Sequence, residues 1–149
     1  MKLSEHFSLR EFTRSSTAES LGLDNSVDPT TAQGVTVTRN LANLCAEVLE
    51  PLREHVGRPI VVTSGYRCKA LNNAIGGVAN SQHLVGEAAD LSIPSVAKAR
   101  EWMRWLMDNT RFDQLILEHN CHGIHWLHVS CKVDAGKNRQ QVIHSLKKG

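Results

Sequence analysis

Apolar positions recur at three- and four-residue intervals in two stretches of the chain. From about Thr36, the residues Val37, Leu41, Leu44, Val48 and Leu52 fall on one face of a helix. Pro51 is expected to kink or end that helix early, because proline has no N–H and crowds the preceding turn; Gly57 is a suitable stop. A second helix is predicted over Ser95–Asn109, with Val96, Ala99, Trp102, Met103 and Leu106 on its apolar stripe. Trp102 and Trp105 read as core and flank of that helix. Near the start, Ser8 and Glu11 have the spacing of a capping box, with Phe7, Leu9 and Phe12 as apolar anchors. The polar stretch from about Ser15 to Gln33 contains Gly22, Asp24, Asn25, Asp28 and Pro29 and reads as loop and turns.

Strand signals occupy the intervals between. PIVVTSGYR reads as a buried strand, AADLSI as another, and QLILE and IHWLHVSC as two more; QQVIHSL near the C-terminus suits an edge strand. A short helical piece over Lys69–Ile75 leads into the turn Gly76-Gly77. This order predicts an α+β fold, with helices packed on one face of a small, mainly antiparallel sheet. The length of 149 residues fits a single domain over 1–149.

Composition narrows the function classes. Hydrophobic residues make up 41%, enough to build a core and to exclude a disordered chain. The formal charge is only +2, and the Lys and Arg residues are scattered, so nucleic acid is not the expected partner. No apolar run approaches the roughly 20 residues of a membrane span, so no membrane anchor is expected. MKLSEHFSLREF lacks the apolar region of a secretory signal. The expectation is therefore synthesis in the cytoplasm, and phage-type release if the substrate lies outside the membrane. None of the cysteines Cys45, Cys68, Cys121 and Cys131 forms a CxxC pair, which argues for free thiols over a cysteine zinc site. Cys121 and Cys131 bracket the last central strand and could be neighbours.

Candidate chemistry centres on histidine. Four of the eight histidines lie within His119–His128, beside predicted strands, and imidazole is a common zinc ligand. His119 and His122 read as loop histidines. His83 and Asp90 flank a turn at Gly86, a spacing that suits a loop and a strand delivering ligands to one ion. In IHWLHVS, alternation puts Ile124, Trp126 and His128 on one face and His125, Leu127 and Val129 on the other. Only one of His125 and His128 can then face the metal, and spacing leaves the choice open.

The segment SQHLVGEAAD resembles the SxHxxGxAxD signature of the zinc D-Ala-D-Ala metallopeptidases, with SGYR before it and WLHVS after it as further landmarks. That family includes bacterial carboxypeptidases, vancomycin-resistance dipeptidases and phage endolysin peptidases, and shares a zinc fold with the hedgehog signalling domain. The resemblance runs from LSEHFSLREF to about NRQQV. It implies a Zn2+ site made by His83, Asp90 and His128, with Arg67 binding a substrate carboxylate or carbonyl oxygen and Ser81 helping to hold the substrate. Trp126 would pack beside the metal. Many members carry Glu three residues before the last His ligand; here that position is His125. Glu118, which closes QLILE, is the preferred general base, with His125 as the alternative, and Glu87 reads as a solvated turn carboxylate. The implied substrate is the stem peptide of peptidoglycan, cut by a monomeric enzyme either as a carboxypeptidase or as an endolysin-type endopeptidase. The competing reading is a non-catalytic zinc-binding module of the same fold.

Overall fold

The computed structural model describes all 149 residues. Helix α1 (Leu9–Thr13) starts at Ser8, whose backbone N–H and hydroxyl both donate to Glu11 Oε2 at 2.7 and 3.1 Å. The polar stretch expected to be loop contains a helix, α2 (Ser16–Leu21). Ser15 caps it by accepting from the Ala18 N–H at 3.1 Å, and Gly22 closes it with φ 66°. Ala18 is its one buried residue, so the helix is too short and too polar to leave an apolar stripe in the sequence.

Helix α3 (Ala32–Leu44) starts earlier than the apolar pattern, because Thr31 caps it through the Gly34 N–H. It runs through a π turn (Cys45–Leu49) into α4 (Glu50–Val56). Pro51 therefore neither ends nor interrupts the helical path. The π turn shifts the hydrogen-bond ladder, so that Glu50 N–H bonds to Cys45 O, and Pro51 falls in the first turn of α4, where a missing N–H costs little. The segment expected as a buried strand pairs only over β1 (Val62–Ser64), at the sheet edge with an irregular register, and Val61 is exposed.

After β1 come α5 (Lys69–Ala74), a 3-10 turn (Gln82–Val85), β2 (Ala88–Leu91), α6 (Val96–Asn109), β3 (Gln114–His119), β4 (His125–Ser130) and, after a 3-10 turn (Ala135–Lys137), β5 (Gln141–Lys147). The strands lie in the order β1-β2-β4-β3-β5; all pairs are antiparallel except β3 with β5. The fold is α+β, as the element order implies.

Alternation gives the sheet two distinct faces. Ala89, Leu91, Leu115, Leu117, Leu127 and Val129 point to one side and form a single core with the apolar stripes of α3, the π turn, α4 and α6. Asp90, Ile116, Glu118, Trp126 and His128 occupy the alternate positions. The polar chemistry of the chain is thereby collected on the face turned away from those helices. Cys45 and Cys131 belong to the core; burial pushes their thiols up to about 12 and about 11, which keeps them protonated and inert. Cys121 is exposed in the β3–β4 turn while Cys131 follows the far end of β4, so the two are not neighbours and both are free. No helix is long and apolar enough to cross a membrane.

Candidate metal centre

His83 sits in the 3-10 turn, whose shape is set at both ends. Ser81 Oγ accepts from the His83 N–H at 3.2 Å, and Gly86 closes the turn in the left-handed region with φ 79°. Gly86 also packs directly on α3, where a Cβ would come within 2.7 Å of Val37 O. Asn40 of the same helix donates to Val85 O at 2.8 Å. The signature glycine is thus required twice, for its backbone angle and for close approach. Gly86→Ala is expected to destabilise the fold by about 2–3 kcal/mol through left-handed strain and displacement of the turn, read from urea unfolding midpoints. An unchanged midpoint would show that the turn can move at no cost.

His83 Nδ1 lies 2.7 Å from Gly65 O, and a carbonyl only accepts, so Nδ1 carries the hydrogen and Nε2 is left with its lone pair. Asp90 of β2 and His128 of β4 are register partners in the antiparallel ladder and share a face. His83 Nε2 and His128 Nδ1 stand 3.4 and 3.0 Å from the same oxygen, Asp90 Oδ1, and the three ligand atoms lie within 4.8 Å of one another. All three side chains are buried. In the absence of a cation, protons on the facing imidazole nitrogens would hold Asp90 Oδ1 at these distances, and a bound cation would take the place of those protons. Burial alone would raise the Asp90 carboxyl, but the charge and hydrogen bonds of His83 and His128 overcome that and hold it far below the usual carboxylate range. Two nitrogens and one oxygen are a donor set that suits zinc and leaves one coordination position open. The second carboxylate oxygen is also held: Arg67 Nη2 donates to Asp90 Oδ2 at 3.2 Å. Arg67 is in turn fixed by Ser64 Oγ at 3.1 Å and, more loosely, by Asn72 Oδ1 at 3.4 Å.

Glu118 lies one strand further across the sheet. It is buried, at 3% exposure, with Oε1 accepting from Trp126 Nε1 at 2.8 Å and standing 3.9 Å from His128 Nδ1. Trp126 therefore holds Glu118 beside the cluster. The β3–β4 register runs unbroken from Gln114↔Ser130 to His119↔His125, so no bulge turns His125 towards the cluster. His125 stays on the opposite face of β4, its ring stacked on His119 with centroids 5.2 Å apart and its Nδ1 donating to Gly123 O. His119 is the last residue of β3, and His122 is exposed in the turn. Glu87, half buried, accepts from Gln82 Nε2 at 3.2 Å.

A cleft of about 210 Å³ opens over the cluster, and Arg67, Ser81, His83, Glu118 and His128 all line it. Arg139 and Lys148 line it as well. Sequence reading did not single out either one. Lys148 lies in a tail without a motif, and Arg139 reaches the cleft only because buried Asp113 accepts from its Nε and Nη2 at 3.0 and 2.7 Å.

The sequence pattern of the peptidase M15 family matches residues 5–130, a span that holds every side chain of the cluster together with Arg67, Ser81 and Glu118. The chain belongs to the peptidase M15 family. This M15 chain is also 42% identical over 48 residues to the zinc D-Ala-D-Ala carboxypeptidase of Streptomyces albus G. That match covers 32% of the M15 chain and only 19% of the Streptomyces protein.

Proposed function

We propose that the chain is a zinc-dependent peptidase that hydrolyses a D-alanine-containing amide bond in the stem peptides of peptidoglycan, acting as a monomer with one domain over residues 1–149. The observation that carries this reading is the convergence of His83 Nε2, Asp90 Oδ1 and His128 Nδ1 beneath an open cleft, with a buried carboxylate alongside. Family membership and the partial likeness to a zinc D-Ala-D-Ala carboxypeptidase support it.

His83, Asp90 and His128 would hold the zinc, which would supply a Lewis acid and lower the pKa of water from 15.7 towards about 7. The chain's own groups do the remainder. Glu118 accepts a proton from the attacking water and returns it to the leaving amine, while Trp126 keeps its carboxylate in place. Arg67 presents its remaining donors to a substrate carboxylate or carbonyl oxygen, and Ser81 borders the same cleft. A non-catalytic zinc module would have no use for a buried carboxylate and an arginine open to the cleft. The test is digestion of purified wall fragments by the zinc-loaded protein, read by mass spectrometry. Loss of D-Ala or a cut within the stem supports the reading and tells a carboxypeptidase from an endopeptidase; intact fragments overturn it.

Arg67→Lys is expected to lower kcat/KM by about 10- to 100-fold, because an ammonium lacks the planar fork that reaches Ser64, Asp90 and a substrate oxygen in fixed directions. Steady-state kinetics with metal content confirmed would check this, and full turnover with unchanged KM would reduce Arg67 to a structural part.

A further inference from the structure

The strand that borders the cleft on its far side lies beyond the residues matched by the family pattern, which ends at 130. Strand β5 runs parallel to β3, with Gln114↔Gln141 and Ile116↔Ile143 in register, but Glu118 faces Leu146 instead of residue 145. One extra residue is accommodated between Ile143 and Leu146. In a regular strand, the side chains on the Ile143 side would be 145 and 147. The irregularity reverses the alternation, so Leu146 and Lys148 share the face of Glu118. Lys148 thereby lines the cleft, with Nζ 3.5 Å from Glu118 Oε2. Its backbone is fixed, since Lys148 N–H donates to His119 O at 2.7 Å.

We propose that Lys148 forms a carboxylate-binding subsite on the β5 side of the metal centre, which selects peptides carrying a free carboxylate on the acyl side of the cut amide. The inference rests on the peptidase reading above and adds the charge of the substrate to it. Position is the first argument. Arg67 meets the cluster from the β2 side through Asp90, and Lys148 meets it from the β3–β5 side through Glu118, with β4 and His128 between. A peptide lying across the strands, with its terminal carboxylate or carbonyl at Arg67, places its acyl portion at Lys148.

Charge is the second argument. Arg139 shares the cleft but is matched by the two oxygens of Asp113. The Lys148 ammonium has only a 3.5 Å ion pair, longer than an ordinary N–H···O bond, and its side chain is 45% exposed. It is a cation with donors to spare, on an anchored backbone, facing the space a substrate would fill.

The experiment uses the zinc-loaded 149-residue chain and paired peptides ending in D-Ala-D-Ala. Members of a pair differ only in a carboxylate or carboxamide one or two residues from the cut on the acyl side. The wild type is expected to favour the carboxylate by about 10- to 100-fold in kcat/KM. In Lys148→Met that ratio falls to about 1, and Lys148→Arg keeps most of it. Equal cutting of both members by the wild type overturns the subsite. So does Lys148→Met lowering both equally, since Lys148 would then only position Glu118. If the wild type cuts neither these peptides nor the wall fragments, the peptidase reading falls and this inference with it; cutting of wall fragments alone overturns this inference only.

Discussion

Replacing Glu118 by glutamine is expected to lower kcat by about 100- to 10,000-fold while leaving bound zinc unchanged, the range that a positioned acid–base group contributes. The substitution removes proton affinity but keeps an oxygen for Trp126 Nε1, now bonded at 2.8 Å, so the side chain stays in place. It also removes the ion pair with Lys148, whose half-exposed ammonium can return to water. His125→Gln is the companion. His125 faces away from the cluster, and its neighbours are the His119 ring and the Gly123 carbonyl, so its loss should alter kcat by less than about threefold, within the range of a surface change. Both variants are compared by turnover on one substrate with metal content confirmed. If His125→Gln is the inactive variant, the base is His125 and Glu118 serves only to orient neighbours.

His83→Ala is expected to abolish retention of zinc by the dialysed protein. Loss of a mere supporting partner of a metal ligand costs about 10- to 100-fold in affinity, and removal of a ligand itself should exceed that. The folded chain should survive. The deletion leaves Gly65 O without its 2.7 Å donor, a cost of about 1–3 kcal/mol, and breaks no strand pairing. Elemental analysis gives the metal content, and circular dichroism gives the fold. A folded His83→Ala protein that still holds one zinc per chain would sink the ligand assignment.

The parts of this molecule that were legible in its sequence are those with a period or a cap. The stripe Val37–Leu52 announced the long helical path, and the alternation in QLILE and IHWLHVSC placed β3 and β4. Alternation also separated His125 from His128, and the β3–β4 register bears that separation out. What escaped is set by contacts rather than by periodicity. Helix α2 has one buried residue and rests on its caps. The effect of Pro51 was misjudged because a π turn changes which N–H groups are needed, and nothing local in CAEVL signals it. The partners of the site residues were equally hidden. Trp126 was expected beside the metal, yet its indole N–H goes to Glu118. Arg67 was expected to bind a substrate oxygen, and nothing in the sequence told that one of its donors also goes to a residue of the cluster.

The reversed alternation in β5 also bears on tolerance to error. An interior strand that slips by one residue turns its apolar side chains to water, so burial polices its register strongly. Strand β5 lies at the edge, and none of its residues is fully buried, so burial polices it weakly. Its alignment is kept by hydrogen bonds at the two ends, Gln141 N–H to Asp113 O and Lys148 N–H to His119 O. Were the irregularity ironed out with the chain length unchanged, Lys147 would come round to the cleft, whereas loss of the extra residue would restore regular alternation and leave Lys148 there. Two adjacent lysines thus keep a cation at the cleft whether the strand flattens, gains one residue or sheds the extra one, so this wall can change length by a residue without changing sign.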